Sequence, residues 1–349
     1  MAKVNLLTIH WGESYGAAMQ TYATCQILKK LGHEVTLINL VNYKYASRFY
    51  NNWRTYLDIF RIVGFKLFKI RYLSKKTPLM YSIDEQKIPQ ADYTIVGSDQ
   101  VWNRDITGQL GLSYFLPFAG SSKRLSLASS FSKSSWLEDP EYTEKVKNEL
   151  SKFTALSVRE KSGVRICEEV FGLKAKWLVD PTIALGDYKN LIGNVKPDGT
   201  VGSFRFLESK LFSQCLSFVS SEKNIPIKYI RYYYKKRDTN GTHVPCYNPI
   251  TWLKEIAKSD FIVTDSFHGL VFSILFHKQF IALPAIPERF ERIESLLAML
   301  NLSDRIVRSQ ADLINNKTTL LSPVDYQRVD LVIEEKRKEY WDFVTSNIL

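Results

Sequence analysis

Residues 4–40 set the strongest limit on the fold. Val4 to Ile9 is a short apolar run, followed by the loop Trp11-Gly12-Glu13-Ser14-Tyr15-Gly16. Ala17 to Leu31 then has helical spacing, with Met19, Ala23 and Ile27 on one face and Gln20, Thr24 and Lys30 elsewhere. Gly32 stops that helix, and Val35 to Leu40 is the next strand. Strand, helix, strand in so short a stretch is a βαβ unit, which demands a parallel sheet covered by helices.

The alternation recurs. Tyr93–Val96, Arg124–Ser130, Ala155–Val158 and Trp177–Val179 read as strands, with a helix from about Glu160 to Phe171. In the second half, Val201–Phe206, Ile227–Tyr232, Phe261–Thr264 and Phe280–Leu283 read as strands. Leu207–Ser220, Pro249–Lys258, Gly269–Phe276 and Ile293–Leu300 read as helices. A chain of 349 residues predicts two domains, and the polar stretch Lys189–Gly199, with Pro197, is the expected junction. The expected architecture is α/β: a Rossmann-like domain over 1–186, a second over 187–322, a cleft between them, and a charged C-terminal helix over 323–349 packing back. Apolar residues at 45 % against 24 % charged exclude a disordered chain.

Lysine and arginine number 47 against 36 acids, a formal charge of +11, which favours anionic partners. Much of the excess lies in 41–81, read as an insertion in the first domain. There Lys44, Arg48, Arg54, Arg61, Lys66, Lys69, Arg71, Lys75 and Lys76 face one acid, Asp58, with aromatic residues interleaved. Apolar residues recur at helical spacing from Trp53 to Tyr72. Such a basic amphipathic segment can stack RNA bases, lie on a membrane surface, or pack on its own domain. Packing on its own domain comes first, contact with a membrane periphery or a lipid-linked substrate next, and no nucleic-acid partner is expected. The N-terminus turns polar by His10 and lacks a signal-peptide core, so a cytoplasmic location is expected. Cys25, Cys167, Cys215 and Cys246 lie too far apart in sequence for a zinc clip or redox motif.

Three polar clusters follow predicted strands: Gly97-Ser98-Asp99-Gln100-Val101-Trp102-Asn103, Ser157-Val158-Arg159-Glu160 and Thr264-Asp265-Ser266-Phe267-His268-Gly269. In open α/β sheets the ligand lies beyond the carboxyl ends of the strands. His268 begins a helix there, where free backbone N–H groups favour anions and an imidazole can carry a proton. The alternative is a histidine that caps its own helix or bonds a buried carbonyl. Arg159 offers a planar fork for carboxylate or phosphate, or else a structural ion pair with Glu160 or a neighbour. Asp99 and Asp265 can bind substrate hydroxyls or cap the helices that follow. His10 has a weaker claim from its strand end, His33 and His277 read as surface or helix-end residues, and His243 near Cys246 does not by itself make a metal site. There is no Gly-x-Gly-x-x-Gly fingerprint, P-loop, His-Glu-x-x-His or Gly-x-Ser-x-Gly elbow.

Five stretches, in order, resemble the polysaccharide pyruvyl transferase family. They are Tyr15-Gly16-Ala17-Ala18-Met19-Gln20-Thr21-Tyr22-Ala23, Val96 to Asn103, Ser157-Val158-Arg159-Glu160-Lys161-Ser162-Gly163, Val179-Asp180-Pro181-Thr182 and Thr264 to Gly269. The resemblance implies a GT-B-like fold and transfer of the enolpyruvyl group of phosphoenolpyruvate to a sugar, forming a pyruvate ketal and phosphate. The acceptor is a surface polysaccharide or its lipid-linked precursor, and neither metal nor separate cofactor is implied. His268 matches the family's general acid, Arg159 an arginine that holds donor charge, and Arg292 (with Arg289 the other choice) a further cation. Asp99, Gln100 and Asn103 are candidates for acceptor contacts. Ser98, Asp265, Ser266, Gly269, Gly16, Gln20 and His10 complete the expected substrate-binding set. Ser266 stands where well-studied members often carry arginine. The competing enzyme reading is a GT-B glycosyltransferase using a nucleotide sugar. A reading of another class is a non-catalytic membrane- or RNA-binding protein built around 41–81.

Overall fold

In the computed structural model, which describes residues 1–43, 59–230, 240–284 and 290–348, the opening βαβ unit forms where the sequence places it. Strand β1 (Lys3–Leu7) leads to helix α1 (Tyr15–Lys30) and then to β2 (Glu34–Leu37), which lies parallel to β1. Ser14 caps α1 by accepting the Ala17 N–H, and Gly32, at φ +81°, ends it. One expectation changes here. Gln20 and Thr24 are as buried as Met19 and Ile27, because helix α1 is covered on nearly every side.

Helix α2 (Ile59–Tyr72) precedes β3 (Lys75–Lys76), β4 (Tyr93–Val96), a short helix α3 (Arg104–Thr107), β5 (Lys123–Ser126), α4 (Pro140–Leu150) and β6 (Phe153–Ala155). The six strands run in the order β3-β2-β1-β4-β5-β6, all parallel, the order of a doubly wound sheet. Strand β5 stops at Ser126, short of Ser130, because Ala128 adopts φ +51° and breaks the ladder. The expected strand 155–158 divides in two. β6 stays in the main sheet, and β7 (Ser157–Val158) pairs with β8 (Lys176–Trp177) across helix α5 (Lys161–Glu169). Helix α6 (Pro181–Leu185) follows.

The second sheet repeats the scheme with β9 (Val201–Phe204), α7 (Lys210–Lys223), β10 (Ile227–Ile230), β11 (Gly241–Val244), α8 (Pro249–Lys258), β12 (Phe261–Thr264), α9 (Phe267–Leu275) and β13 (Gln279–Ala282). Its order, β11-β10-β9-β12-β13, is again all parallel. Strands β9, β10 and β12 are buried along their whole length, as strands covered on both faces must be. Helices α10 (Glu291–Met299) and α11 (Tyr326–Asn347) follow.

The chain divides into two units: Met1–Ile59, Lys69–Leu185 and Glu334–Leu349 form the first, Phe60–Phe68 and Gly186–Ile333 the second. Residues 189–199 belong to the second unit, where Leu191 and Ile192 are buried and Asp198 pairs with Lys228 at 2.6 Å. The C-terminal helix packs back: Arg337 Nε and Trp341 Nε1 donate to the carbonyls of Ile183 and Ala184 at the end of α6. Residues 44–58 of the basic segment, and Arg289, lie outside the described residues. Among the described residues no helix is long and apolar enough to cross a membrane.

Candidate functional site

In a doubly wound sheet the crevice opens where the strand order reverses, between β1 and β4 in the first unit and between β9 and β12 in the second. Ser98, Asp99 and Gln100 follow β4, and Asp265, Ser266, His268 and Gly269 follow β12, whereas Arg159 follows β7, Arg292 lies in α10, and Gly16 and Gln20 lie within α1.

In the first unit the centre is Asp180, just before α6. Its Oδ2 accepts from Arg159 Nη1 at 2.6 Å and Ser98 Oγ at 3.1 Å, and its Oδ1 from Thr182 N and Oγ1 at 2.9 and 2.6 Å. The Arg159 side chain is only 2 % exposed and that of Asp180 is fully buried. Burial opposes charge on Arg159, but Asp180, Glu160 and Asp99 outweigh it and its pKa is raised. The partner of Arg159 is thus Asp180, far along the chain, while Glu160 turns the other way, accepting from Ser132 N at 2.8 Å and from Ser130 Oγ. Asp99 lies 3.8 Å from Arg159 Nη2 and adopts φ +80°, a left-handed conformation that a non-glycine residue holds only under local constraint. Its carboxylate accepts from Gln100 N at 2.9 Å, and its carbonyl from Val101 N and Ser130 N.

Several expected contacts prove structural. Gln20 Nε2 donates to Thr8 Oγ1 and the Ile9 carbonyl, both at 3.0 Å, and is fully buried. Asn103 caps α3 by accepting from Asp105 N at 3.0 Å. Gly16 is buried in the first turn of α1. His10 lies 3.0 Å from the Thr8 carbonyl through Nδ1 and 3.0 Å from the Asn39 side chain through Nε2. Burial pushes its pKa down to about 4, so the ring is neutral and unsuited to holding an anion at neutral pH. Ser98 is buried, and its carbonyl accepts from Thr8 Oγ1 at 2.7 Å, tying β4 to β1.

In the second unit, Ser266 caps α9, accepting from Gly269 N at 3.2 Å, and this sets His268 in the first turn of the helix. His268 is therefore not the cap, and its backbone lies at the positive end of the helix. A Cβ on Gly269 would stand 2.6 Å from Thr264 Oγ1 and 2.9 Å from Phe204 Cδ1, so only glycine lets the helix start so close to β12 and β9. The His268 ring meets the Phe267 ring edge-on, centroids 5.2 Å apart, and the Arg292 guanidinium lies 5.5 Å from the centroid of the same Phe267 ring. Phe267, in the first turn after β12, thus has an imidazole and a guanidinium each within about 6 Å of its ring.

Asp265 accepts from Phe206 N at 2.7 Å and Leu207 N at 3.0 Å, anchoring the loop after β9. Burial raises its pKa to about 6, although both backbone bonds and nearby Arg205 pull it down. Arg205, which the sequence reading missed, is nearly buried, pairs with Glu208 at 3.0 Å and lies over Phe212. Its signal was present: it directly follows the strand Val201–Phe204. Asp180 was likewise legible only as part of a motif. His243 stacks on Tyr229 at 4.9 Å, and His277 pairs with Asp330 at 3.1 Å.

A folded-state pKa above the unfolded one means that Asp265 holds its proton longer in the native state. Its contribution to stability is present below pH 4 and is lost as pH rises from about 4 to about 6. His10, lowered, acts in the opposite sense over pH 4–6.5. Asp265→Asn is expected to gain stability relative to the parent across pH 4–6, as measured by urea unfolding at each pH. Parallel profiles for the two proteins would contradict this.

Comparison with known proteins fits this geometry. Arabidopsis thaliana UGT89C1 complexed with quercetin superimposes with a TM-score of 0.57 at 10 % identity, covering 100 % of both chains. UDP-GlcNAc 2-epimerase from Neisseria meningitidis bound to UDP-GlcNAc gives 0.57 at 10 % identity, covering 99 % of this chain and 100 % of that one. The spinosyn forosaminyltransferase SpnP gives 0.52 at 13 % identity, covering 98 % and 97 %. At such identities the likeness defines the fold alone, which is GT-B. A search of curated protein sequences returns no significant match. The model of the polysaccharide pyruvyl transferases, however, matches residues 15–284, from α1 to the end of the second sheet, and takes in the Arg159–Asp180 pair and the His268 helix start alike. Most of the 349 residues lie within that match, and the chain belongs to the polysaccharide pyruvyl transferase family.

Proposed function

We propose that the protein transfers the enolpyruvyl group of phosphoenolpyruvate to a sugar of a surface polysaccharide or its lipid-linked precursor. The observation that supports the reading is that His268 stands in the first turn of the helix that follows β12, with the Phe267 ring beside it and the Arg292 guanidinium 5.5 Å from that same ring. Phosphoenolpyruvate is a small, highly charged anion with a nucleophilic methylene carbon. Its chemistry needs one proton donor and fixed positive charge.

His268 protonates C3 of the donor, so that C2 becomes electrophilic. One acceptor hydroxyl adds to C2 and gives up its proton to the imidazole. The C2–O bond to phosphate then breaks, the second hydroxyl closes on C2, and its proton leaves with the phosphate. Diol plus phosphoenolpyruvate thus becomes ketal plus phosphate, with no oxidation or reduction. Arg292 and the N–H groups at the start of α9 neutralise the donor's charge. Arg159 we assign to positioning: its charge is already matched by Asp180, and it holds Ser98 and Asp180 in register. Asp99 and Gln100 remain the acceptor-side candidates.

The GT-B fold also serves nucleotide sugars, as the bound UDP-GlcNAc of the Neisseria epimerase shows for that protein. Thermal denaturation with added ligands separates the two readings. Stabilisation by phosphoenolpyruvate, reduced in Arg292→Ala, is the expected result. Stabilisation by a UDP- or GDP-sugar with none by phosphoenolpyruvate would overturn it.

A further inference from the structure

Helix α2 carries its charges and apolar residues in an unusual arrangement. With successive residues turned by about 100°, Ile59, Ile70, Val63, Leu67 and Phe60 fall side by side over an arc of about 100°. Lys66 borders that arc on one side and Arg71 on the other. This face points to solvent: Ile59 is 51 %, Phe60 70 %, Val63 46 %, Leu67 60 % and Ile70 68 % exposed, and both bordering cations are exposed. A helix on a soluble protein turns its apolar stripe inward.

The opposite face is held down. Phe65 and Phe68 are buried, and a Cβ on Gly64 would lie 2.4 Å from the Tyr247 carbonyl oxygen, so the backbone itself packs there. Lys69 Nζ donates to the Gly12 carbonyl at 2.8 Å, and burial lowers its pKa to about 8. The outward stripe is therefore a fixed feature of the helix and not a consequence of loose attachment.

We propose that this face lies in the interfacial layer of an anionic lipid bilayer. The stripe matches the acyl boundary, and Lys66 and Arg71 can reach outward to lipid phosphates while their stems lie along it. Charge argues the same way. No acid occurs from Ile59 to Ile83, whereas Arg61, Lys66, Lys69, Arg71, Lys75 and Lys76 do. By sequence, the preceding residues 44–58 add Lys44, Arg48 and Arg54 against Asp58. A second copy of the chain docked on this face by two-fold symmetry would set cations against cations. On this face of α2, nucleic acid would find the Phe60 ring, with Tyr247 5.9 Å away and tilted at 61° to it, among four aliphatic side chains that cannot stack bases. The inference stands apart from the pyruvyl-transfer reading, since it needs neither donor nor acceptor.

The test is flotation of the full chain with vesicles of phosphatidylcholine, with and without about one third phosphatidylglycerol. Binding to the anionic vesicles and little to the neutral ones is expected. Lys66→Gln with Arg71→Gln should lower the partition coefficient roughly thirtyfold, and Leu67→Glu with Ile70→Glu should abolish binding. All four positions are exposed, so the variants should keep the parent's circular dichroism and melting temperature. Absence of vesicle binding, equal binding to both vesicles, or binding unchanged by Leu67→Glu/Ile70→Glu would overturn the proposal. So would a dimer in solution that Leu67→Glu dissociates, or oligonucleotide binding that displaces the vesicles.

Discussion

His268→Ala is expected to slow phosphate release from phosphoenolpyruvate by a factor on the order of 10²–10⁴, the usual worth of a positioned general acid. The loss should fall on kcat more than on KM, because the proposed mechanism transfers the proton in the transition state and assigns donor binding to Arg292 and the start of α9. Folding should survive. Ser266, not His268, caps the helix, and alanine is a good residue for its first turn. An unchanged melting temperature with lost turnover is therefore the expected pattern. Turnover at the parent's rate would remove His268 from the reaction.

Arg159→Ala should behave differently. Removing the guanidinium strands the carboxylate of Asp180 in a site with no exposure, and breaking a buried pair from one side costs about 3–5 kcal/mol. The sequence alone suggests a donor-binding arginine, whose loss would abolish activity in a protein as stable as the parent. The observed pairing predicts a large fall in the urea midpoint instead, with activity lost only as the fold is lost. Arg159→Lys keeps the charge but not the planar guanidinium, whose Nη1 donates to both Asp180 Oδ2 and Ser98 Oγ while Nη2 lies 3.8 Å from Asp99, and should recover part of the stability. If Arg159→Ala leaves the unfolding midpoint in place and still stops turnover, the arginine faces substrate and its assignment to positioning fails.

The contrast between these two residues shows how far the sequence reaches. Strands Tyr93–Val96 and Phe261–Thr264 and helix Pro249–Lys258 were readable to the residue, because each is a buried run with clear ends: Gly97 and Asp265 after the strands, Asn248 and Pro249 before the helix. The two parallel α/β sheets followed from that alternation, and the GT-B form from the family resemblance. The place of His268 was readable because it depends on neighbours in sequence, a strand before it and a helix start around it.

Arg159 was not, because its counter-ion is 21 residues away and no local rule joins them. Gln20 failed for a related reason. Its helical position suggested a polar face, but tertiary packing buries α1 nearly all round, and the amide became an internal tie between Thr8 and Ile9. Strand β3, made of Lys75 and Lys76, has no apolar signature at all. Helix α4 was overlooked although Asp139 and Pro140 form a readable start; its polar composition hid it.

The central claim is that this chain protonates an enol and passes its carbon to a sugar. The most direct measurement is product analysis in D2O, with phosphoenolpyruvate and a panel of galactoside and N-acetylmannosamine acceptors. The account predicts a sugar ketal whose methyl group carries one solvent deuterium, formed in step with free phosphate and suppressed in His268→Ala. A sugar product formed only with a nucleotide-sugar donor, with no phosphate released from phosphoenolpyruvate, would contradict it.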